Sequence, residues 1–367
     1  MGDRWLRRFN NDMAVESPRL TIENALDLLL EQGGSDLLIS CGCTPRIRRD
    51  GILRPLRDDV PFLRPDDSEA MLREVLNDDQ WDELQQRRHV DFAFTWRNRV
   101  RMRGNAFFQR GSLAAAFRLL PLEIPSFDDL GIPDAVNRLV GRHQGLVLVT
   151  GPTGSGKSTT MAAIVDQINR TRPCHVITIE DPIEYVHRHQ LAVVDQRQIG
   201  MDAPSFADAL RAVFREDPDV VLIGEMRDLE TIAAALTIAE TGHLVLATLH
   251  TNDSAQAIDR ILDGFPTGQQ QQVRVQLGAC LAGVIYQQLL PATGGGRVAA
   301  FEILVVTSAV RALIKDGKTN QIRNFLQTNL REGCQTLERS LGALVKSGLI
   351  TERSAMSRSL FPDEIQS

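Results

Sequence analysis

Residues 145–160 read GLVLVTGPTGSGKSTT. Leu146–Val149 is apolar at every position, which marks a strand buried on both faces, as in the parallel sheet of an α/β domain. It runs into Gly151-Pro152-Thr153-Gly154-Ser155-Gly156-Lys157-Ser158, a full match to G-x-x-x-x-G-K-[ST], and Thr159 opens a helical pattern that lasts to about Asn169. Phosphate binding requires that order. Glycines let backbone N–H groups turn inward around phosphate oxygens, and the N-terminus of the following helix adds partial positive charge. In such a loop Lys157 reaches the β- and γ-phosphates of ATP, Ser158 ligates Mg²⁺ through its hydroxyl, and Thr159 closes the cradle. A glycine-rich structural turn would need neither the strand before nor the helix after.

Working outward, three more apolar strands follow: Val176–Ile179, Val220–Ile223 and Leu244–Thr248. Ligands of open parallel sheets sit outside the carboxyl ends of the strands, so the residues just beyond these strands are candidates for chemistry. They are Glu180-Asp181-Pro182-Ile183-Glu184, Gly224-Glu225 and Leu249-His250-Thr251. Hydrolysis needs a carboxylate to orient and deprotonate water, and Glu225 is best placed for it. Gly224 stands where an Asp that holds Mg²⁺ through water is usual. The metal shell is therefore expected to draw on Glu184, with Glu180 and Asp181 behind it. His250 can sense the γ-phosphate, while His243 precedes the same strand; a lone histidine is more often a structural residue.

Before this domain, Thr21 caps a helix with Ala25, Leu26, Leu29 and Leu30 on its apolar face, ended by Gly33-Gly34. Leu37–Ile39 reads as a strand, Asp50-Gly51 as a hairpin turn between Ile47 and Ile52, and Ser68 to about Gln86 as helical. Asp91–Trp96, Arg99–Phe108 and Leu113–Leu119 read as successive strands. Arg97, Arg99, Arg101 and Arg103 recur at every second residue, which on a strand puts them on one face. That face is either solvated and acid-paired or a source of arginine fingers that neutralise a transferring phosphoryl group.

The Pro- and Asp-rich stretch 121–135 is expected to be a linker between an N-terminal domain (18–120) and an ATPase domain (136–350), with flexible tails at 1–17 and 351–367. After Pro291 the chain reads as helical, with helices around Ser308–Asp316, Asn320–Leu326 and Leu337–Val345, so that the ATPase domain is helical from about 305. In the first of these, Arg311 and Lys315 share a face set apart from Val310, Leu313 and Ile314, a surface suited to an acidic partner.

Net charge is −6, and no aromatic platform accompanies the arginines, which argues against a nucleic-acid motor. No apolar run approaches the length of a membrane helix. Arg4, Arg7 and Arg8 mixed with Trp5, Leu6 and Phe9 are too charged for a signal peptide. The five cysteines include a single Cys-x-Cys pair, Cys41 and Cys43, and are read as reduced thiols without a structural metal.

Four segments, GPTGSGKSTT (151–160), TIEDPIE (178–184), EDPDVVLIGEMRD (216–228) and ETGHLVLATLHT (240–251), resemble the Walker A, Asp-box, Walker B and His-box quartet of type II/IV secretion ATPases. The similarity is greatest to pilus retraction ATPases of the PilT type and extends from Leu26 to about Leu349; Gly33–Leu37 and GGGRVAA (294–300) fit it as well. The resemblance implies an α/β chain with a PAS-like α+β N-terminal domain, a RecA-like P-loop ATPase domain and a C-terminal helical extension. It implies a homohexameric ring that hydrolyses ATP with Mg²⁺ and drives type IV pilus retraction and twitching motility. By the same likeness Glu225 is the catalytic carboxylate, Glu184 the Asp-box acid, and His243 and His250 the His-box pair. Ser158 would hold Mg²⁺ together with Glu184 and Glu225 through water, and Arg103, Arg110 and Arg118 match arginines that contact phosphate from the N-terminal domain. Implied partners are an inner-membrane pilus platform protein and a paralogous ATPase, with no nucleic acid and no transmembrane segment. The implied location is cytoplasmic, at the inner face of the membrane. Assembly-type relatives carry an extra N-terminal domain and a four-cysteine zinc site that this sequence lacks, which favours retraction over extension. Two other functions stay open, a related secretion or conjugation motor and a non-hydrolysing regulatory subunit; intact Lys157, Ser158 and Glu225 oppose the second.

Overall fold

Helix α1 (Ile22–Glu31) starts where the Thr21 hydroxyl accepts from the Asn24 N–H, and its buried stripe is Ile22, Ala25, Leu26 and Leu29. This is the beginning of a computed structural model that describes residues 20–49, 52–97, 100–120 and 123–365. The chain divides into two units between residues 122 and 123.

In the first unit β1 (Asp36–Ser40), β2 (Arg46–Arg49) and β3 (Ile52–Pro55) precede two helices, α2 (Pro65–Arg73) and α3 (Asp78–Arg87). The stretch expected as one helix is thus two. Asn77 restarts the chain with a capping box, accepting from the Gln80 N–H while the Gln80 side chain accepts from the Asn77 N–H. Strands β4 (His89–Trp96), β5 (Val100–Gln109) and β6 (Ser112–Leu119) complete an antiparallel sheet of order β3-β2-β1-β6-β5-β4. Leu37, Ile47, Leu72, Trp81, Phe92, Met102 and Phe117 form its core. The Asp50-Gly51 turn and Arg99 lie outside the described residues, as do residues 1–19 with the N-terminal arginines and aromatics.

In the second unit α4 (Phe127–Leu130) and α5 (Ala135–Val140) lead into β7 (Gly145–Thr150) and α6 (Lys157–Thr171). The expected linker is therefore structured from residue 123 onward: Ser126 caps α4, and Ile124, Phe127, Leu130 and Ile132 pack on the cluster that holds α6. Then come β8 (His175–Glu180), β9 (Val193–Gln198), α7 (Phe206–Val213), β10 (Val220–Ile223), α8 (Leu229–Glu240), β11 (Leu244–Leu249), α9 (Ser254–Asp263) and α10 (Thr267–Cys280). The long hairpin β12 (Leu281–Pro291) and β13 (Arg297–Val305) corrects the helical reading after Pro291; Gly295 and Gly296, with φ of 89° and 75°, take its turn.

The sheet order is β13-β12-β7-β11-β10-β8-β9, parallel except for β13. Alternate residues of β7 point to opposite cores, Leu146 and Leu148 to one and Val147 and Val149 to the other. Helices α11 (Ser308–Lys315), α12 (Ile322–Thr328), α13 (Leu337–Lys346) and α14 (Glu352–Met356) end the chain. The last lies where a tail was expected, with Thr351 as its cap and Ala355 fully buried. The face that Arg311 and Lys315 share is only partly open: Lys315 is exposed with its stem against α10 at Gly278, and Arg311 is half-buried. Among the described residues no helix is long and apolar enough to cross a membrane.

Candidate active site

Register decides which strand ends meet. Thr150 of β7 pairs with Leu249 of β11, so His250 emerges beside Gly151, and Ile223 of β10 pairs with Ala247 and with Ile179 of β8. The phosphate loop, Glu225 and His250 are thereby gathered at the carboxyl ends of the central strands.

The loop closes on itself through Lys157. Its ammonium donates to the carbonyls of Gly151 at 2.8 Å and Pro152 at 3.1 Å, and lies 3.4 Å from His250 Nδ1. An ammonium can only donate, so Nδ1 is the acceptor and the imidazole carries its hydrogen on Nε2. Nε2 then donates to Glu225 Oε1 at 3.2 Å, while Arg227 holds Glu225 Oε2 at 2.8 Å. Burial pushes the Lys157 ammonium below its ordinary pKa, against the opposing charge of Glu225. At Glu225 burial pushes upward, but the hydrogen bond and charge of Arg227, with His250 and Lys157, hold the carboxyl below its ordinary value. Glu225 is therefore ionised at neutral pH, as a base must be. A cleft of about 460 Å³ opens beside it, lined by Arg227, His250, Thr251, Asn252 and Arg260 among others.

The glycine in place of the usual acidic residue has a steric cause. A Cβ at Gly224 would stand 3.2 Å from the Ile179 carbonyl and 3.3 Å from the Glu180 Cα, both backbone atoms of the neighbouring strand. A side chain there would crowd the backbone of β8. On either side of Glu225 the backbone is tied to β11: the Thr248 hydroxyl donates to the Gly224 carbonyl at 2.5 Å, and the Met226 N–H to the Thr248 carbonyl at 3.1 Å.

Glu184 is half-buried on the loop after β8. The next residue, Tyr185, has its hydroxyl 2.9 Å from Thr159 Oγ1 in the first turn of α6, which ties the Asp-box loop to the phosphate loop. Glu180 serves as the anchor of that loop. It is half-buried and accepts from the Thr178 hydroxyl, Gln196 Nε2 and the Glu184 N–H; desolvation of the carboxyl, reinforced by the charge of Glu184, raises its pKa despite those bonds.

Helix α6 begins at Gly156 in the left-handed region with no side-chain cap, which leaves its first N–H groups open to an anion. Pro152, Thr153, Gly154 and Ser158 are exposed, Ser155 is buried, and Thr159 is half-buried. Among the described residues no cluster of three acidic, His or Cys side chains could hold a metal ion.

His243 is not part of this site. It precedes β11, whose length separates it from His250 by roughly 23 Å at the usual rise per residue. Its Nδ1 donates to the Ile238 carbonyl, a structural cap on α8. In the first unit Arg103 and Arg118 are cross-strand partners and both exposed, with Arg118 paired to Asp36 at 2.7 Å. Arg110 takes the turn of the β5–β6 hairpin with φ of 47°, roughly 23 Å along the strand from Arg103. The three arginines thus do not converge. Arg97 also leaves the row: it sits in the turn after β4 and pairs with Asp27.

Three residues of this site escaped the sequence reading. Arg227 follows Glu225 by two and Tyr185 follows Glu184 directly, so proximity could have flagged both. Gln287 of β12 donates to the Ser155 carbonyl at 2.7 Å, and no sequence signal connects the two.

The family model described as type II/IV secretion system protein matches residues 114–357. The chain is 44% identical over 344 residues to a Pseudomonas aeruginosa protein described as the type IV pilus retraction ATPase PilT, covering 94% of this chain and 99% of that protein. It is 47% identical over 317 residues to a Neisseria gonorrhoeae twitching motility protein, covering 86% of this chain and 84% of that one. The crystal structure of the pilus retraction motor PilT with bound ADP matches with a TM-score of 0.89 at 48% identity, covering 94% of this chain and 98% of that chain.

Proposed function

The chain belongs to the type II/IV secretion system protein family, and from that premise we propose that it is a Mg²⁺-dependent motor ATPase that drives retraction of a type IV pilus as a homohexameric ring. The reading rests chiefly on the Lys157–His250–Glu225 array at the mouth of an uncapped phosphate loop. On loading with ATP, Lys157 turns from the Gly151 and Pro152 carbonyls to the β- and γ-phosphates. Glu225 takes the proton of the attacking water, oriented by His250 from one side and Arg227 from the other. Mg²⁺, held by Ser158 and through water by Glu184 and Glu225, would neutralise phosphate charge. The ring works at the cytoplasmic face of the inner membrane against a pilus platform protein, and a paralogous ATPase is a further candidate partner.

Deletion of the gene is expected to leave cells with surface pili that no longer twitch. Loss of both pili and motility would indicate an assembly motor instead. Unchanged piliation and motility with loss of effector export or conjugation would assign the chain to a related secretion machine.

Arg103 and Arg118 are proposed to neutralise phosphate charge during hydrolysis. Each alanine variant is expected to lower kcat about tenfold or more. Melting temperature should fall only modestly, because Asp36, the buried half of the Arg118–Asp36 pair, keeps the Ser35 hydroxyl and Arg48 as partners. Arg110→Ala is expected to stay near the wild-type rate. Wild-type turnover by both Arg103→Ala and Arg118→Ala would remove them from the site.

A further inference from the structure

Gln287 lies one residue beyond the Tyr286–Thr150 pairing that marks the end of β7, a register that sets it against the phosphate loop. It is 1% exposed. A Cβ on Gly151 would stand 2.3 Å from the Gln287 carbonyl, and one on Gly156 would stand 3.2 Å from its Nε2. Between these contacts Nε2 donates to the Ser155 carbonyl at 2.7 Å. The loop is thus held at its beginning, where only glycine fits, and at its end by one residue of a strand 132 positions away in sequence.

The consequence follows from peptide geometry. The Ser155 carbonyl and the Gly156 N–H belong to one planar trans unit and point in opposite directions. Drawing the carbonyl toward β12 turns the Gly156 N–H outward, to the side where Lys157 and the open first turn of α6 would meet a phosphate. We propose that Gln287 is a positioning residue for nucleotide phosphate binding, which acts by fixing the orientation of the Ser155–Gly156 peptide. The proposal deepens the ATPase reading and rests on it.

Gln287→Met keeps length and volume but loses the donor. It leaves the Ser155 carbonyl without its donor but also removes Gln287 Oε1, a buried acceptor without a partner, so the two effects on the nucleotide-free fold partly offset. The test compares wild-type protein, Gln287→Met and Gln287→Glu for ADP affinity by calorimetry, for steady-state ATPase kinetics, and for melting temperature without nucleotide. Gln287→Met is expected to bind ADP about tenfold more weakly, the equivalent of one lost hydrogen bond. KM should rise while kcat stays within about twofold, since Gln287 touches no reacting atom. Gln287→Glu, which sets a carboxylate against the Ser155 carbonyl, should bind more weakly still. Wild-type affinity in Gln287→Met overturns the proposal, as does a fall in kcat at unchanged KM, or a Gln287→Met protein already unfolded at the assay temperature. Wild-type protein that fails to bind ADP would instead overturn the ATPase reading, a result distinct from any of these.

Discussion

Lys157→Ala protein is expected to show no ATP turnover above background and at least a hundredfold weaker nucleotide binding. Lys157 is the cation at the heart of the loop, already held by two loop carbonyls and next to His250. Removing one preorganised donor from an oxyanion hole typically costs on the order of 10²–10³ in rate. Here the same substitution also takes away the charge that matches the β- and γ-phosphates. It removes, too, the acceptor relationship that fixes the His250 tautomer, so Glu225 loses a defined partner. Lys157→Arg should not rescue: a planar guanidinium is not a compact ammonium, and the space is nearly closed, with Lys157 only 9% exposed. Steady-state ATPase assays and binding of a fluorescent nucleotide check both claims. Turnover within tenfold of wild type would show that the phosphates are held by something else.

Glu225→Gln is expected to separate binding from chemistry. ATP affinity should stay within a few-fold of wild type, while the single-turnover hydrolysis rate falls by about 10²–10⁴, the usual loss on removal of a positioned general base. The amide keeps the shape of the side chain and can still accept from His250 Nε2. It has no charge for Arg227 and cannot take a proton from water. Rapid-quench measurement on ATP-loaded protein isolates the chemical step from product release. Near-normal hydrolysis in the variant would move the catalytic role away from Glu225.

The contrast between His250 and His243 shows how far strand-end reasoning reaches. Both histidines flank one strand, and the sequence pattern treats them alike. The parallel arrangement of the sheet gives its two ends different neighbours: His250 meets Lys157 and Glu225, and His243 caps α8. The arginines teach a similar lesson within the first unit. Period-two spacing put Arg97 in a row, yet its left-handed turn conformation removes it, while β5–β6 register joins Arg103 to Arg118 and leaves Arg110 at the far turn.

By itself the sequence determined the phosphate loop, the central apolar strands, their parallel class and the acids and histidine at their ends. These are local facts: eight contiguous residues specify the loop's backbone freedom and its charge, and an apolar run of strand length specifies burial on both faces. The hairpin β12–β13 was missed because polar Gln287 and Gln288 interrupt its apolar run, and the edge strand β9 because its polar and exposed positions leave little periodicity. Only the tertiary structure decided how closely β8 crowds Gly224, and that Arg227, Tyr185 and Gln287 stand around the loop. Each of those depends on the register between strands distant in the chain, and register is set by the packing of whole sheet faces, which no single stretch of sequence encodes.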